Sequence, residues 1–245
     1  MSDLTDRLGR LTLAMVALTL MLAGCRPTLV PKPDPTPQAI HVSVPPSLTV
    51  LGPLLKSCMA ELPQAGLIIS RTTAPTLEQA GLALRWGAGS SLPGSFAAVL
   101  SNETLVFIVH PQNPLEQIPL ADLLAIYRGT QNEWPSNGPA GEVQPWAYPA
   151  GEDVQQIFTA VAGESFPENA SALAPDPAAM IEAVAGSPSA IGYLPRRWLD
   201  GRVKEVQIED LSEDRLRQPI LVLSQSEPVG PAKSWLLCLQ ENLAE

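Results

Sequence analysis

Two histidines and three cysteines are all that this 245-residue chain holds of the side chains that most often bind metals or act as nucleophiles. His41 falls in a predicted strand and His110 stands before Pro111 at the end of another. Neither has the spacing of a metal-ligand pair. No Gly-x-Ser-x-Gly nucleophile elbow occurs. The glycine-rich stretch Gly87-Ala88-Gly89-Ser90-Ser91 lacks the lysine of a phosphate-cradling loop and no clear helix follows it, so it reads as a turn. The acidic group Glu205, Glu209, Asp210, Glu213 and Asp214 lacks the spacing of a calcium loop and reads as a solvated face. Basic charge is scarce as well. Lys and Arg number 15 against 25 Asp and Glu, a net charge of −10. Nucleic acid requires clustered Lys and Arg, and anionic lipid attracts only basic surfaces, so both are set aside as partners. The chain therefore reads as a non-enzyme with no metal and no cofactor.

What is present begins at the amino terminus. Met1 to Arg10 is short and polar, Leu11 to Leu22 is apolar and uncharged, and Leu22-Ala23-Gly24-Cys25 follows. That is the three-part layout of a secretory signal over residues 1–24. The apolar run, about 12 residues, is too short for a membrane-spanning helix. The small residues before Cys25 resemble a bacterial lipobox, which implies that the Cys25 thiol is acylated and becomes the new terminus. Residues 25–38 contain Pro27, Pro31, Pro33, Pro35 and Pro37. Proline at nearly alternate positions favours an extended polyproline tether, roughly 40 Å long at about 3.1 Å per residue. The expectation is an exported protein held by lipid to the outer face of the cell membrane, or on the periplasmic side, and otherwise monomeric.

Beyond the tether about 205 residues remain, enough for one large or two small domains. The whole chain is 45% hydrophobic and 16% charged, which suits a buried core. Apolar spacing and turn residues predict strands at 39–44, 66–71, 82–86, 96–100, 104–109, 143–148, 190–194, 203–208 and 220–223. Helices are predicted at 49–62, 76–80, 120–127, 154–162, 178–185 and 231–243. Strands and helices alternate, so the class is α/β with largely parallel sheets. Cys58 and Cys238 are left over after Cys25. An oxidising compartment permits a disulfide between them, and the other reading is two unpaired buried thiols.

Two strand-to-helix junctions stand out: Ser47-Leu48-Thr49, with Ser47 as a candidate helix cap, and Gly151-Glu152-Asp153. Free N–H groups and the helix dipole at such junctions point beyond the carboxyl end of the strand, the edge where open α/β sheets bind ligands. Facing each other, the two would form a cleft.

Several stretches also resemble one family, and in its order. Val106-Phe107-Ile108-Val109-His110-Pro111-Gln112-Asn113-Pro114-Leu115 is similar to the "vivnPxNP" strand and loop of phosphate-type solute-binding proteins. Leu120-Ala121-Asp122-Leu123-Leu124-Ala125-Ile126-Tyr127-Arg128-Gly129 resembles their "LtxxqlxxIfxG" helix, and Trp134 and Gly138 match the residues that follow. Ala190-Ile191-Gly192-Tyr193 matches "aIGY", and Pro46-Ser47-Leu48-Thr49-Val50 resembles the first ligand loop, "GSsTv". The resemblance implies the type 2 periplasmic-binding fold: two α/β lobes with a small solute closed between them and an ABC permease as partner. It divides the chain into lobe I, 39–103 plus 195–245, and lobe II, 104–194, with no single sheet continuous through both. Cys58 and Cys238 then share lobe I, which implies the disulfide. The second ligand loop departs from the family's "GSGT": it reads Gly151-Glu152-Asp153-Val154, and the arginine that often follows is Gln155. A carboxylate replaces hydroxyl donors, so phosphate is expected to bind poorly. The alternative is a ligand-independent sensor or interaction module on the same fold.

Overall fold

The computed structural model describes residues 38–73, 81–87, 95–163, 165–166 and 171–243. The signal segment, Cys25, the proline-rich tether up to Pro37, the helix expected at 76–80 and most of the glycine-rich turn lie outside the described residues.

One strand organises the rest. β4, Phe96–Val109, runs through two predicted strands and the polar triplet between them. Its first half alternates in exposure, and Leu105 to Val109 are all buried. The triplet Ser101-Asn102-Glu103 does not break it, because its buried charge is satisfied. Glu103 meets Arg197 Nε at 2.9 Å and accepts the Thr104 N–H at 2.8 Å. Burial is the chief influence on the Glu103 carboxyl and raises its pKa, while the Thr104 N–H and Arg197 oppose.

The other strands are β1 Gln38–Val44, β2 Ala65–Arg71, β3 Leu82–Trp86, β5 Gln117–Pro119, β6 Gln144–Ala147, β7 Ala172–Leu173, β8 Ala190–Pro195, β9 Lys204–Glu209 and β10 Arg217–Ser224. The order is β2-β1-β3-β10-β4-β8-β6-β7, with β9 on β4 and β5 on β9. Residues 96–104 of β4 pair with β10, and residues 105–109 pair with β8. The hydrogen-bonded path is thus continuous through β4, which corrects the expectation of two separate sheets. The flanks are parallel, β1 with β2 and β3, and β6 with β7 and β8. The centre is antiparallel, β10 with β3 and β4, and β4 with β8 and β9. β5 and β9 also pair in parallel, so among the described strands parallel pairings are in the majority as expected, and the antiparallel ones are those made by β10 and β4. Alternation of strands and helices along the chain says nothing about the direction of the strands that cross between halves.

The helices are α1 Gly52–Ser57, α2 Leu120–Tyr127, α3 Asp153–Ala162, α4 Pro177–Ala185, the short α5 Glu213–Leu216 and α6 Pro231–Leu243. The helix expected over 49–62 is a 3-10 turn, Pro46–Leu51, followed by the six-residue α1. Pro45 occupies its cap position and no side chain caps it, so Ser47 is not the cap. α4 packs on β8, where Gly192 is required: a Cβ there would collide with Met180 and crowd Val184.

α1 and α6, from opposite ends of the described region, pack together. Trp235 Nε1 donates to Leu55 O at 3.0 Å. Cys58, at the end of α1, and Cys238, in α6, form the expected disulfide with Cα atoms 5.8 Å apart. Closing a loop of 180 residues restricts the unfolded chain by about 4–5 kcal/mol in the chain-entropy account. Calorimetric melting of the Cys58→Ala/Cys238→Ala variant is expected to show a large fall in Tm. An unchanged melting curve would mean that the bridge contributes nothing.

Candidate ligand-binding site

β1 and β3 are parallel neighbours, so their carboxyl ends share an edge. β1 leads into the 3-10 turn carrying Ser47, Leu48 and Thr49. β3 ends in Arg85 and Trp86, and against those two residues stands the amino end of α3. Both junctions singled out in the sequence are therefore brought to one edge.

Asp153, the first residue of α3, is the fixed point. Its side chain is fully buried. Oδ2 accepts the Trp86 backbone N–H at 3.0 Å, and Oδ1 lies 2.8 Å from Arg85 Nη2. The latter is an ion pair by distance rather than a well-angled hydrogen bond. Arg85 Nη1 donates to Thr73 O at 2.6 Å, which anchors the guanidinium. Burial raises the Asp153 pKa, and Arg85 and the Trp86 N–H oppose the rise. The arrangement ties the helix after β6 to the end of β3, one element from each half of the sheet.

Glu152 occupies the cap position of α3 with extended backbone, yet makes no capping bond. Its side chain is longer than the Ser, Thr, Asp and Asn that fold back onto a helix start. It is 4% exposed, and Oε2 is buried without a partner. Desolvation, then the neighbouring Asp153, pushes its carboxyl up to about 7; Arg85 opposes and Asp176 adds to the rise. Gly151 is exposed, and among the described residues a Cβ on it would meet only Thr73 Oγ1, at 4.0 Å.

At the other junction Ser47 is fully buried, and its Oγ is likewise without a partner. Its carbonyl accepts from Trp198 Nε1 at 2.7 Å, which links the chain leaving β8 to this turn. Leu48 belongs to the hydrophobic core and its N–H donates to Pro45 O at 3.0 Å. The Thr49 hydroxyl donates to Pro46 O at 2.9 Å. Of the six residues expected at the cleft, Ser47 and Glu152 keep uncommitted polar atoms. Leu48 and Thr49 are turned to structural duty, Asp153 is already paired, and Gly151 leaves space.

Gln155, standing where the family often has arginine, faces inward. Its Oε1 accepts from the Tyr193 hydroxyl and, at 3.2 Å, from the Tyr148 N–H. It thereby fastens α3 to a cluster of Phe107, Tyr127, Tyr148, Phe158, Phe166 and Tyr193. Burial holds the phenols of Tyr127, Tyr148 and Tyr193 protonated by raising their pKa.

The sequence reading missed Arg85, Thr73, Asp176 and Trp198. Arg85 had a signal: it is the one charge in the five-residue strand Leu82–Trp86. Asp176 stands directly before Pro177 and caps α4, accepting the Ala179 N–H at 2.9 Å. Among the described residues no group of three or more His, Cys, Asp or Glu is placed to hold a metal ion.

No family model matches the sequence, and no curated protein does. Solved structures do match in shape. A putative phosphate ABC transporter substrate-binding protein with bound phosphate from Clostridium perfringens superimposes with a TM-score of 0.71 at 16% identity. An ABC-type phosphate transport receptor from Vibrio cholerae gives 0.63, also at 16% identity. Each covers 82% of this chain and 93% of its own. The CcmR regulatory domain of Synechocystis in complex with 2-PG gives 0.62 at 12% identity, covering 84% of this chain and 97% of its own. The fold is the two-lobed type 2 periplasmic-binding fold, which these transport receptors share with regulatory domains.

The buried Glu152 carboxyl has a consequence for stability. Its folded pKa lies above its unfolded value, so its contribution is fully present below about 4.5. That contribution is lost as pH rises through about 7. Glu152→Gln keeps the shape of the neutral acid. Denaturant unfolding is expected to show the variant gaining about 2 kcal/mol on the unmodified protein between pH 5 and pH 8. Parallel pH profiles for the two proteins would show that Glu152 is ionised and solvated.

Proposed function

We propose that this chain is an extracytoplasmic solute-binding lipoprotein that closes its two lobes over a small molecule and presents it to an ABC permease. In this reading residues 39–103 with β10 and α6 form lobe I, and residues 104–194 form lobe II together with β9, which pairs with β4 beyond residue 104 and with β5 and so leaves the 195–245 segment expected in lobe I. Cys25 carries the lipid, and residues 25–38 hold the lobes away from the membrane. The protein is not an enzyme. The observation that carries the reading is a pair of orphans: Ser47 Oγ and Glu152 Oε2, one at each junction, both buried and both without a partner among the described residues. A buried polar atom left unpaired costs about 1–3 kcal/mol. A ligand supplying the missing bonds recovers that cost, and opening of the lobes admits it. The fold shared with the transport receptors supports the same reading, as does the lipobox-like sequence. Among the described residues no helix is long and apolar enough to cross a membrane.

A specific observation favours a second reading. Arg85 and Asp153 join the two halves directly, 2.8 Å apart. A protein kept closed by its own ion pair would act as a ligand-independent interaction module for a membrane partner.

Thermal-shift screening of the full-length chain in detergent against a panel of small solutes separates the two. The binding reading expects at least one solute to raise Tm by several degrees, and Gly151→Trp, which fills the space beside Thr73, to abolish the shift. No shift with any solute selects the interaction module. Lipidation is tested separately. Mass spectrometry of protein from a bacterial host is expected to find acyl mass on an amino-terminal Cys25, and cleavage at another residue would remove the anchor from the proposal.

A further inference from the structure

Resting on the binding reading just given, we infer that the solute is a small organic cation carrying a primary ammonium, received by the Glu152 carboxylate at the sheet edge that also carries Ser47. The charges around the seam point that way. With Glu152 ionised, the group contains three carboxylates, Glu152, Asp153 and Asp176, against one cation, Arg85. Tyr148, the other titratable neighbour, stays neutral. The sum is three negative charges and one positive, or −2.

Both terminal nitrogens of Arg85 and the Trp86 N–H, which an anion could use, already have partners. Arg85 spends Nη1 on Thr73 O and Nη2 on Asp153. The Trp86 N–H is given to the same Asp153 carboxylate. The Asp153 carboxylate thus takes these donors for itself. Gln155, in place of the family's arginine, is turned into the tyrosine cluster and offers no positive charge. The amino end of α3 favours an anion, but the charges of Glu152 and Asp153 at that end oppose one.

The unmet demand is for donors. Glu152 Oε2 accepts from nothing, and an ionised carboxylate is acceptor-only. An ammonium brings three donors and the charge that stabilises the ionised form. Ser47 Oγ, which can donate or accept, suits a hydroxyl or second amine on the same ligand. Binding must release the proton that Glu152 holds when the cleft is empty. With a midpoint at about 7, roughly a tenth of the sites are ionised at pH 6 and nine-tenths at pH 8, so affinity rises about tenfold between them.

Isothermal titration calorimetry of the full-length chain in detergent tests this with butane-1,4-diammonium and 5-aminopentan-1-ol as cations, pentane-1,5-diol as neutral analogue and inorganic phosphate as anion. The expected result is binding of a cation that is about tenfold tighter at pH 8 than at pH 6, with proton release visible as a buffer-dependent heat. The diol and phosphate should not bind. In Glu152→Gln, whose melting curve verifies folding, the cation affinity should fall at least tenfold and its pH dependence vanish. Binding of phosphate or of the diol that Gly151→Trp abolishes would overturn the cation while leaving the cleft in place. Cation binding that ignores pH or Glu152→Gln would also overturn it. Absence of binding by all four probes, or binding that Gly151→Trp leaves intact, would overturn the cation and the cleft together.

Discussion

Everything at the seam depends on one buried carboxylate. Asp153 begins a helix in one half of the molecule and receives a guanidinium and a backbone N–H from the end of a strand in the other. Taking a carboxylate out of water is tolerable only when it is paired and hydrogen-bonded. Satisfying that demand fixes the position of α3, and the position of α3 fixes its neighbour Glu152. Glu152 is therefore buried by its neighbour's bonds rather than by its own. It has the burial of a structural carboxylate without the partners of one.

The second constraint is continuity. β4 serves two ladders, with β10 on its first part and with β8 and β9 on its second. A strand shared in this way lets the halves turn about it without breaking either ladder. The polar triplet at the transition is held by Arg197, which follows β8. Trp198, next in sequence, reaches Ser47. The chain leaving one half is thus bonded both to the crossing strand and to the first junction, so movement at the crossing is felt where a ligand would sit.

Much of this architecture is written in local pattern. The strand Leu82–Trp86 and the helices Leu120–Tyr127 and Pro231–Leu243 appear with the bounds that apolar spacing and flanking prolines and glycines indicate. The two junctions were legible for the same reason, since turns between periodic segments are local. What was not legible is pairing across distance. Nothing near Ser101-Asn102-Glu103 says that an arginine 94 residues on will neutralise Glu103 and keep the strand whole. Nothing near Arg85 says that Asp153 will be its partner. Nor does any local signal give the inward turn of Leu48 and Gln155, which follows from the packing of elements that meet only in the folded chain.

The disulfide has a consequence for how the molecule fails. Cys58 and Cys238 lie 180 positions apart, so the bridge turns most of the polypeptide into a covalent ring. All of β2 to β10 and the helices α2 to α5 lie within that ring, as do exposed loop residues such as Asn137, Gly141 and Glu142. A protease that cuts once inside the ring opens it without releasing a fragment. The nicked protein stays one covalent molecule, heavier by the single water that hydrolysis adds, until a reductant arrives, and damage to the middle of the chain goes unseen on a non-reducing gel.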